Sequence, residues 1–360
     1  MRTLNEVRAR INALDDEIMD LISQRARCAQ EVAEIKRHDD PSTTVFYRPE
    51  REAQVLERIM ANNSGPLAGE DMARLFREIM SACLALEQPL RVAFLGPAGT
   101  FTQTAALKHF GHAVQSVPLA TIDEVFRDVE AGAVNYGVVP VENSSEGVVN
   151  HTLDSFMTSG LCIMGEVELR IHHHFLVADV TKVAAISRIY SHQQSLAQCR
   201  KWLDAHFPGA ERVALPSNAE AARRIRGEWH SAAIAGETAG ALYDLQTLHA
   251  CIEDNPNNTT RFLIIGREEV VASGRDKTSI MVSVQNGAGA LYRVLEPFNR
   301  QDISLTRIET RPSQIDIWSY VFFIDFEGHQ SDPIVQSVFA ELRAGAAEVK
   351  ILGSYPRAVL

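Results

Sequence analysis

The chain has 360 residues, 46 % of them hydrophobic and 22 % charged, too long for one ordinary core and ordinary in composition for a globular protein of two or three domains. Its formal net charge of −11 argues against a general nucleic-acid binder, because a phosphate backbone needs clustered Lys and Arg. No apolar run approaches the ~20 residues that span a bilayer, and the N-terminus carries no signal-peptide core, so the expectation is a cytoplasmic protein with no membrane and no nucleic-acid partner. Cys28, Cys83, Cys162, Cys199 and Cys251 are dispersed and lack a Cys-x-x-Cys pair, which predicts buried thiols rather than disulfides or a zinc site.

From residue 2 to 40 there is neither Gly nor Pro, and Leu4, Val7, Ile11, Leu14, Ile18, Ala29, Val32 and Ile35 recur at helical spacing. This predicts one long amphipathic helix. A second helix is predicted from Pro49 to the breakers Asn62-Asn63-Ser64-Gly65-Pro66, and a third from about residue 70 to 88, with Pro89 behind it. Three such helices, the first much the longest, predict a hairpin that borrows a partner's apolar surface. Arg25 and Lys36 are eleven residues apart, hence within about 20° of one another and about 16 Å apart on one stripe. Ala29 and Val32 share that stripe, so it faces inward. Inward cations need an anion, although spacing alone also allows snorkelling or salt-bridged side chains. Arg8 lies about 25 Å from Arg25 along a straight helix and cannot share its ligand within one chain. In an antiparallel dimer, Arg8 of one chain would meet Arg25 and Lys36 of the other.

Residues 91–95 read as a buried strand entering the turn Gly96-Pro97-Ala98-Gly99-Thr100-Phe101-Thr102 and a helix to about Phe110. Such a turn offers backbone N–H groups at the positive end of a helix; without the third Gly of a dinucleotide fingerprint or the Lys of a phosphate loop, a carboxylate is the better ligand. Strands at 114–117 and 136–141 flank a helix at 121–131, and a helix at 147–157 follows the turn Glu142-Asn143-Ser144-Ser145. A second set has strands at 162–169, 171–177, 188–191, 213, 232–235 and 247–252, with helices at 196–206, 218–226 and 237–242 between them. The alternation predicts two α/β lobes with a cleft, and Thr100, Glu142, Asn143, Ser144, Ser191, Gln198 and Thr260-Arg261 at strand ends point to it. The stretch Asn257-Asn258-Thr259-Thr260-Arg261-Phe262 sets a hydroxyl and a planar guanidinium where a loop enters an apolar strand. His172-His173-His174 is not read as a metal site, because consecutive strand residues face opposite sides; Ile171, His173, Phe175 and Val177 form one face of a structural strand.

After a polar linker at 267–276, strands at 279–285, 303–309, 317–326 and 348–353 and helices at 289–299 and 332–343 give the order βαββαβ of a ferredoxin-like domain. Gly287-x-Gly289 imitates a dinucleotide site, but Tyr292 occupies the third Gly position and the next strand returns as a hairpin.

The turns 96–102 and 140–147, Ser191-His192-Gln193 with Gln198, and Thr260-Arg261-Phe262 together resemble the prephenate dehydratase family. The helical start is similar to the helical chorismate mutase family, whose pattern falls on Arg8, Arg25, Lys36, Arg51, Glu52 and Glu87. The last segment resembles an ACT regulatory domain, with effector motifs at Asn286, Gly289-Ala290-Leu291 and Glu309-Thr310-Arg311-Pro312. The whole chain therefore resembles the bifunctional chorismate mutase–prephenate dehydratase family.

That resemblance implies a multidomain fold: an all-α mutase domain over 1–89, a two-lobed α/β, periplasmic-binding-protein-like dehydratase domain over 90–267, and an α+β ferredoxin-like ACT domain over 277–360. It implies conversion of chorismate to prephenate and of prephenate to phenylpyruvate, without cofactor or metal, in a homodimer or higher homo-oligomer inhibited by L-phenylalanine. Thr260 would be the catalytic donor and Arg261 a carboxylate anchor, with Phe262, Glu142, Asn143, Ser144, Ser191, Gln198 and Thr100 around them. There are departures: Arg48 replaces the Asp of the best-known mutases, Cys83 their Ser, Glu87 the Gln of many, and Thr310 the Ser of the ACT motif. On an apolar face Glu87 is expected to have a raised pKa, so that its protonated form donates to the ether oxygen as Gln does. The rival readings are a non-catalytic two-lobed sensor, which has no use for the basic stripe, and a prephenate dehydrogenase fusion, which requires a dinucleotide fingerprint.

Overall fold

In a computed structural model the described residues are 2–39, 47–285, 287–312, 320–345 and 348–359. They group into two compact units, Met1–Leu90 with Phe110–Gln115, and Arg91–His109 with Ser116–Leu360.

The first unit is built on α1 (Leu4–Asp39), α2 (Pro49–Asn62) and α3 (Gly69–Glu87). Pro49 opens α2 at a position where its missing N–H costs nothing, and Glu70 and Asp71 complement the positive end of α3. α1 and α2 both pack on α3, with Ala33, Ala53, Leu56 and Ala73 buried between them. The far reach of α1 is bare: Leu4, Val7, Ile11, Ile18 and Leu21 are all exposed. An apolar stripe of that length left in water is an unfinished core.

In the second unit, the first lobe contains β1 (Arg91–Leu95), α4 (Phe101–Phe110), β2 (Gln115–Leu119), α5 (Ile122–Glu130), β3 (Tyr136–Asn143), β4 (Gly147–Val148), α6 (Asn150–Thr158) and β5 (Cys162–Arg170). The chain then crosses to a second lobe, made of β6 (His174–Val177), β7 (Arg188–His192), α7 (Gln193–Gln198), α8 (Arg200–His206), β8 (Glu211–Leu215), α9 (Asn218–Arg224), β9 (Ser231–Ala235), α10 (Glu237–Leu242) and β10 (Gln246–His249). It returns as β11 (Thr259–Gly266), which inserts between β3 and β5 and runs antiparallel to both. The strand orders are β2-β1-β3-β11-β5, with β4 on β3, and β10-β6-β9-β7-β8.

The last segment folds as β12 (Asp276–Val284), α11 (Ala290–Arg300), β13 (Leu305–Pro312), β14 (Tyr320–Glu327), α12 (Pro333–Ala344) and β15 (Glu348–Pro356), in the antiparallel order β13-β14-β12-β15. This is the ferredoxin-like arrangement that βαββαβ predicts. The linker does not set this module free. Its Val321, Phe323, Leu352 and Tyr355 share one core with Val139, Val141, Leu263 and Ile265 of the first lobe.

Several expectations are corrected. The helix predicted over 196–206 is split into α7 and α8, because the Asp254 carboxylate takes the backbone N–H groups of Lys201 and Trp202 and starts α8 afresh. β6 begins at His174, so Ile171 and His173 lie outside it. A two-residue strand, β4, precedes α6 where a helix from 147 is predicted. Cys28 and Cys251 are exposed rather than buried. The predicted strand start at Ile317 falls outside the described residues. No helix among the described residues is long and apolar enough to cross a membrane.

Candidate active sites

In the helical unit, Arg25 and Lys36 of α1, Arg51, Glu52 and Arg58 of α2 and Glu87 of α3 line one cavity of about 520 Å³. Val32, Phe76, Met80 and Leu84 supply its apolar wall, and Arg48 adds a further cation. The positive excess suits a small dianion enclosed against apolar surface. Burial pushes the Glu52 carboxyl above its ordinary pKa, against the opposing pull of Arg77, whose Nε lies 3.1 Å from Oε1. Arg8 is exposed and does not line the cavity of its own chain. Arg58 escaped the sequence reading, although it follows Arg51 by seven residues, two turns along α2.

In the α/β unit the register of β3 and β11 sorts the predicted residues onto two faces. Asn143 sits opposite Thr260 and Glu142 opposite Arg261, with a bulge that gives β3 one extra residue between Pro140 and Glu142. The bulge turns Glu142 to the same face as Arg261 and leaves Asn143 with Thr260 on the other.

On the Thr260 face, the Asn143 Oδ1 accepts the backbone N–H groups of Ser145 and Glu146 at 2.9 and 3.1 Å, which fixes the orientation of its amide. Its Nδ2 must then point at Thr260, and it donates to Thr260 Oγ1 at 2.8 Å and to Asn258 Oδ1 at 3.0 Å. Asn258 Nδ2 donates to Gln198 Oε1 at 3.1 Å, and the same oxygen takes His173 Nε2–H at 2.8 Å. Burial holds the His173 pKa below its ordinary value, and a neutral ring that meets Gln198 Oε1 through Nε2 carries its proton there. Phe101 packs on that ring, its centroid 5.7 Å away. Thr260 Oγ1 thus accepts a hydrogen bond from behind, and its own proton is left for another acceptor. Across the lobes, Thr104 and Thr238 hydroxyls meet at 2.8 Å and Tyr243 Oη donates to Ala98 O at 3.2 Å. His173 reads from the sequence as structural and Asn258 carries no site role there, yet Asn258 stands two residues before Thr260 in the same loop.

Arg261 and Glu142 lie on the face opposite Thr260. Arg261 points away from Thr260 and donates from Nε to Glu166 at 2.8 Å, from Nη1 to Asp325 at 2.6 Å and from Nη2 to Tyr355 Oη at 3.0 Å. Lys277 Nζ balances Glu166 at 2.7 Å, and Ser279 Oγ donates to Asp325 at 2.6 Å. Alternation along β11 decides this: if Thr260 faces the cleft, its neighbour cannot. Glu142 pairs with Arg307 of β13, whose Nε is 3.1 Å away. Phe262 is 2 % exposed and belongs to the core.

Other predicted residues hold the frame. Ser144 Oγ and N–H bond the backbone of Thr259 and close the strand end. Ser191 Oγ is fully buried and donates toward Ile234 O and Asn218 Oδ1. Thr100 Oγ1 donates to Leu95 O and opens α4, at a turn where Gly99 adopts φ 90°. The first two of the three consecutive His diverge, although neither lies in a strand: His172 bonds Glu253 Oε1 at 2.8 Å while His173 turns to Gln198. The donor atoms of His172, Cys251 and Glu253 nevertheless lie within 4.8 Å of one another.

In the last module, Gly289 at φ 74° caps α11, followed by Ala290 and a 40 % exposed Leu291. Asn286 lies outside the described residues. Glu309, Thr310, Arg311 and Pro312 end β13, an edge strand of the sheet. Arg311 makes a bidentate pair with Asp154 of α6, at 2.7 and 2.8 Å from Nη2.

Comparison with known families matches "Chorismate mutase type II" to residues 7–88, "Prephenate dehydratase" to 92–270 and "ACT domain" to 278–344. A "Bifunctional chorismate mutase/prephenate dehydratase" of Pseudomonas aeruginosa is 63 % identical over 359 residues, covering 99 % of this chain and 98 % of its own. A protein of the same description from Aquifex aeolicus is 41 % identical over 364 residues, covering 100 % and 99 %. Among solved structures, a prephenate dehydratase from Arthrobacter aurescens in complex with L-Phe is 34 % identical with TM-score 0.69, over 75 % of this chain and 90 % of that one.

Proposed function

Because this chain belongs to the bifunctional chorismate mutase/prephenate dehydratase family, we propose that its helical cavity is the mutase site and that the cluster around Asn143 and Thr260 is the dehydratase site. The enzyme rearranges chorismate to prephenate and converts prephenate to phenylpyruvate, on the route to phenylalanine. The two-lobed sensor reading is not favoured, because both catalytic families match in one chain.

For the first reaction, the observation that carries the reading is the cation-lined cavity. The rearrangement is pericyclic and needs no nucleophile; the site must hold the folded conformer of a dicarboxylate and stabilise charge on the breaking ether. Arg25, Lys36, Arg51 and Arg58 supply cations for the carboxylates, and Glu87 is placed to donate to the ether oxygen when protonated. The raised pKa of Glu52 reduces like-charge repulsion with the substrate. The site lacks Arg8 from its own chain, and the bare apolar stripe of α1 is complementary to a second copy. The working form is therefore an antiparallel dimer that carries Arg8 across, or a higher assembly built on it.

For the second reaction, the carrying observation is the orientation of Thr260. The carboxylate bond to the ring breaks, its electrons enter the ring, and the hydroxyl opposite leaves as water after receiving a proton. Asn143 Nδ2 occupies a lone pair of Thr260 Oγ1, which leaves the Thr260 proton free to donate to the leaving hydroxyl. The chain His173–Gln198–Asn258–Asn143 holds that orientation from both lobes. Arg261 is withdrawn from substrate binding and braces the strand from behind.

The ACT module binds L-phenylalanine at the start of α11 and the end of β13 and lowers dehydratase activity; the Arthrobacter relative solved with L-Phe supports this. The place of action is the cytoplasm. Incubation of the purified chain with chorismate and no added cofactor tests the reading: prephenate and then phenylpyruvate should accumulate, and L-phenylalanine should suppress the second. Formation of neither product would refute it.

A further inference from the structure

We propose that Arg307 is a positioning residue of the dehydratase, a single cation shared between Glu142 behind the Asn143–Thr260 pair and Glu309 of the effector motif. The inference rests on the assignment of those two sites made above.

The contrast between two buried guanidinium groups, one on β11 and one on β13, motivates it. Arg261 is satisfied at Nε, Nη1 and Nη2 by three different partners, so it has one arrangement. Arg307 has a side chain only 9 % exposed, yet neither its Nε nor its Nη2 makes a well-directed hydrogen bond. Its Nε stands 3.1 Å from Glu142 Oε2 and its Nη2 4.0 Å from Glu309 Oε1. Asp325, the cross-strand neighbour of Arg307, is already taken by Arg261 and Ser279, so the poorly hydrogen-bonded cation can close on either Glu142 or Glu309, and such a two-position contact is the kind of element that a ligand can bias.

Both ends of the contact matter. Glu142 precedes Asn143 at the bulge of β3, and Asn143 Nδ2 is the donor that orients Thr260 at 2.8 Å. Glu309 opens the effector motif, where the ammonium of an amino acid needs an acidic partner. When an effector at that motif brings Glu309 onto Arg307, the guanidinium leaves Glu142, and the strand end that holds Asn143 against Thr260 loses its brace. Inhibition follows with no effector contact in the cleft.

The test is a double-mutant cycle on the full-length enzyme, with prephenate turnover, calorimetric L-phenylalanine binding and the depth of inhibition all measured. Arg307→Gln should lower dehydratase kcat at least fivefold with KM changed less than twofold, and should reduce the depth of inhibition while L-phenylalanine still binds. Arg307→Lys, which keeps the charge, should recover part of kcat. Glu142→Gln should repeat the Arg307→Gln phenotype, and the double variant should be no worse than the poorer single, because one contact is lost once. If Arg307→Gln does not fold, Glu142→Gln and Arg307→Lys still decide the matter, since Glu142 is 39 % exposed at its side chain. Additive losses in kcat, or wild-type kcat and inhibition in Arg307→Gln or in Glu142→Gln, would overturn the proposal. Failure of the wild-type enzyme to bind L-phenylalanine would instead remove the effector assignment and with it the sharing with Glu309, while the kcat cycle would still decide the positioning role.

Discussion

Replacing Thr260 by Val is the sharpest test of the dehydratase geometry. The substitution exchanges a hydroxyl for a methyl of nearly the same size at a residue 8 % exposed, so it opens no cavity. In the folded protein, Asn143 Nδ2 loses one acceptor at 2.8 Å but keeps Asn258 Oδ1 at 3.0 Å. The stability cost is therefore that of one hydrogen bond, about 1 kcal/mol. The loss in the transition state is larger, because a positioned donor to a departing oxygen is worth roughly a hundredfold or more in kcat, about 3 kcal/mol. Phenylpyruvate formation from prephenate should fall by that factor with little change in KM, while chorismate consumption stays at the wild-type rate. Thr260→Ser, which keeps the hydroxyl, should retain most of the activity. A Thr260→Val enzyme within threefold of wild-type kcat would refute the donor assignment, and equal loss of both reactions would indicate a global defect.

Four further outcomes are expected. Mixing Arg8→Ala with Arg25→Ala chains should restore mutase activity, because heterodimers contain one intact composite site; no rescue despite demonstrated subunit exchange would exclude the shared cavity. Because burial lowers the His173 pKa, the stability it contributes is present above its ordinary value of 6.5 and is lost as pH falls through the lowered value, so the α/β unit should melt earlier in mild acid and His173→Gln should flatten that dependence. Gly99→Ala forces a side chain onto φ 90° and sets a Cβ 3.2 Å from Ala239 Cα in the opposing lobe, which should cost about 1–2 kcal/mol in denaturant unfolding and lower dehydratase but not mutase turnover. Burial opposes the ionised form of Asp325, but Arg261 and Ser279 hold its pKa below the ordinary carboxylate value, so Asp325→Ala should strand the Arg261 charge and destabilise the enzyme by about 3–5 kcal/mol; an unchanged denaturation midpoint would show the cluster to be ornamental.

Much of this protein is legible in one dimension, for reasons that are local. Helical periodicity without Gly or Pro specifies α1, Pro and Gly punctuation bounds α2 and α3, and the order βαββαβ specifies the last sheet. The stripe of Arg25 and Lys36 follows from helix geometry alone, and the cavity confirms that it faces inward. What a residue at a strand end touches is a different kind of information. Thr260 and Arg261 are neighbours in sequence, and period-two alternation sends one to the cleft and the other to the ionic cluster behind; only the partners of β11 say which goes where. Glu142 and Asn143 are sorted by a bulge, which depends on the pairing of strands more than a hundred residues apart. The hydrogen-bond chain from His173 to Thr260 joins residues from both lobes, and the shared core of Val139, Leu263, Phe323 and Tyr355 joins the dehydratase lobe to the ACT module. Such contacts carry no period and no fixed spacing. They exist because burial must satisfy every polar group it covers, and which groups are covered is settled only when the chain has closed.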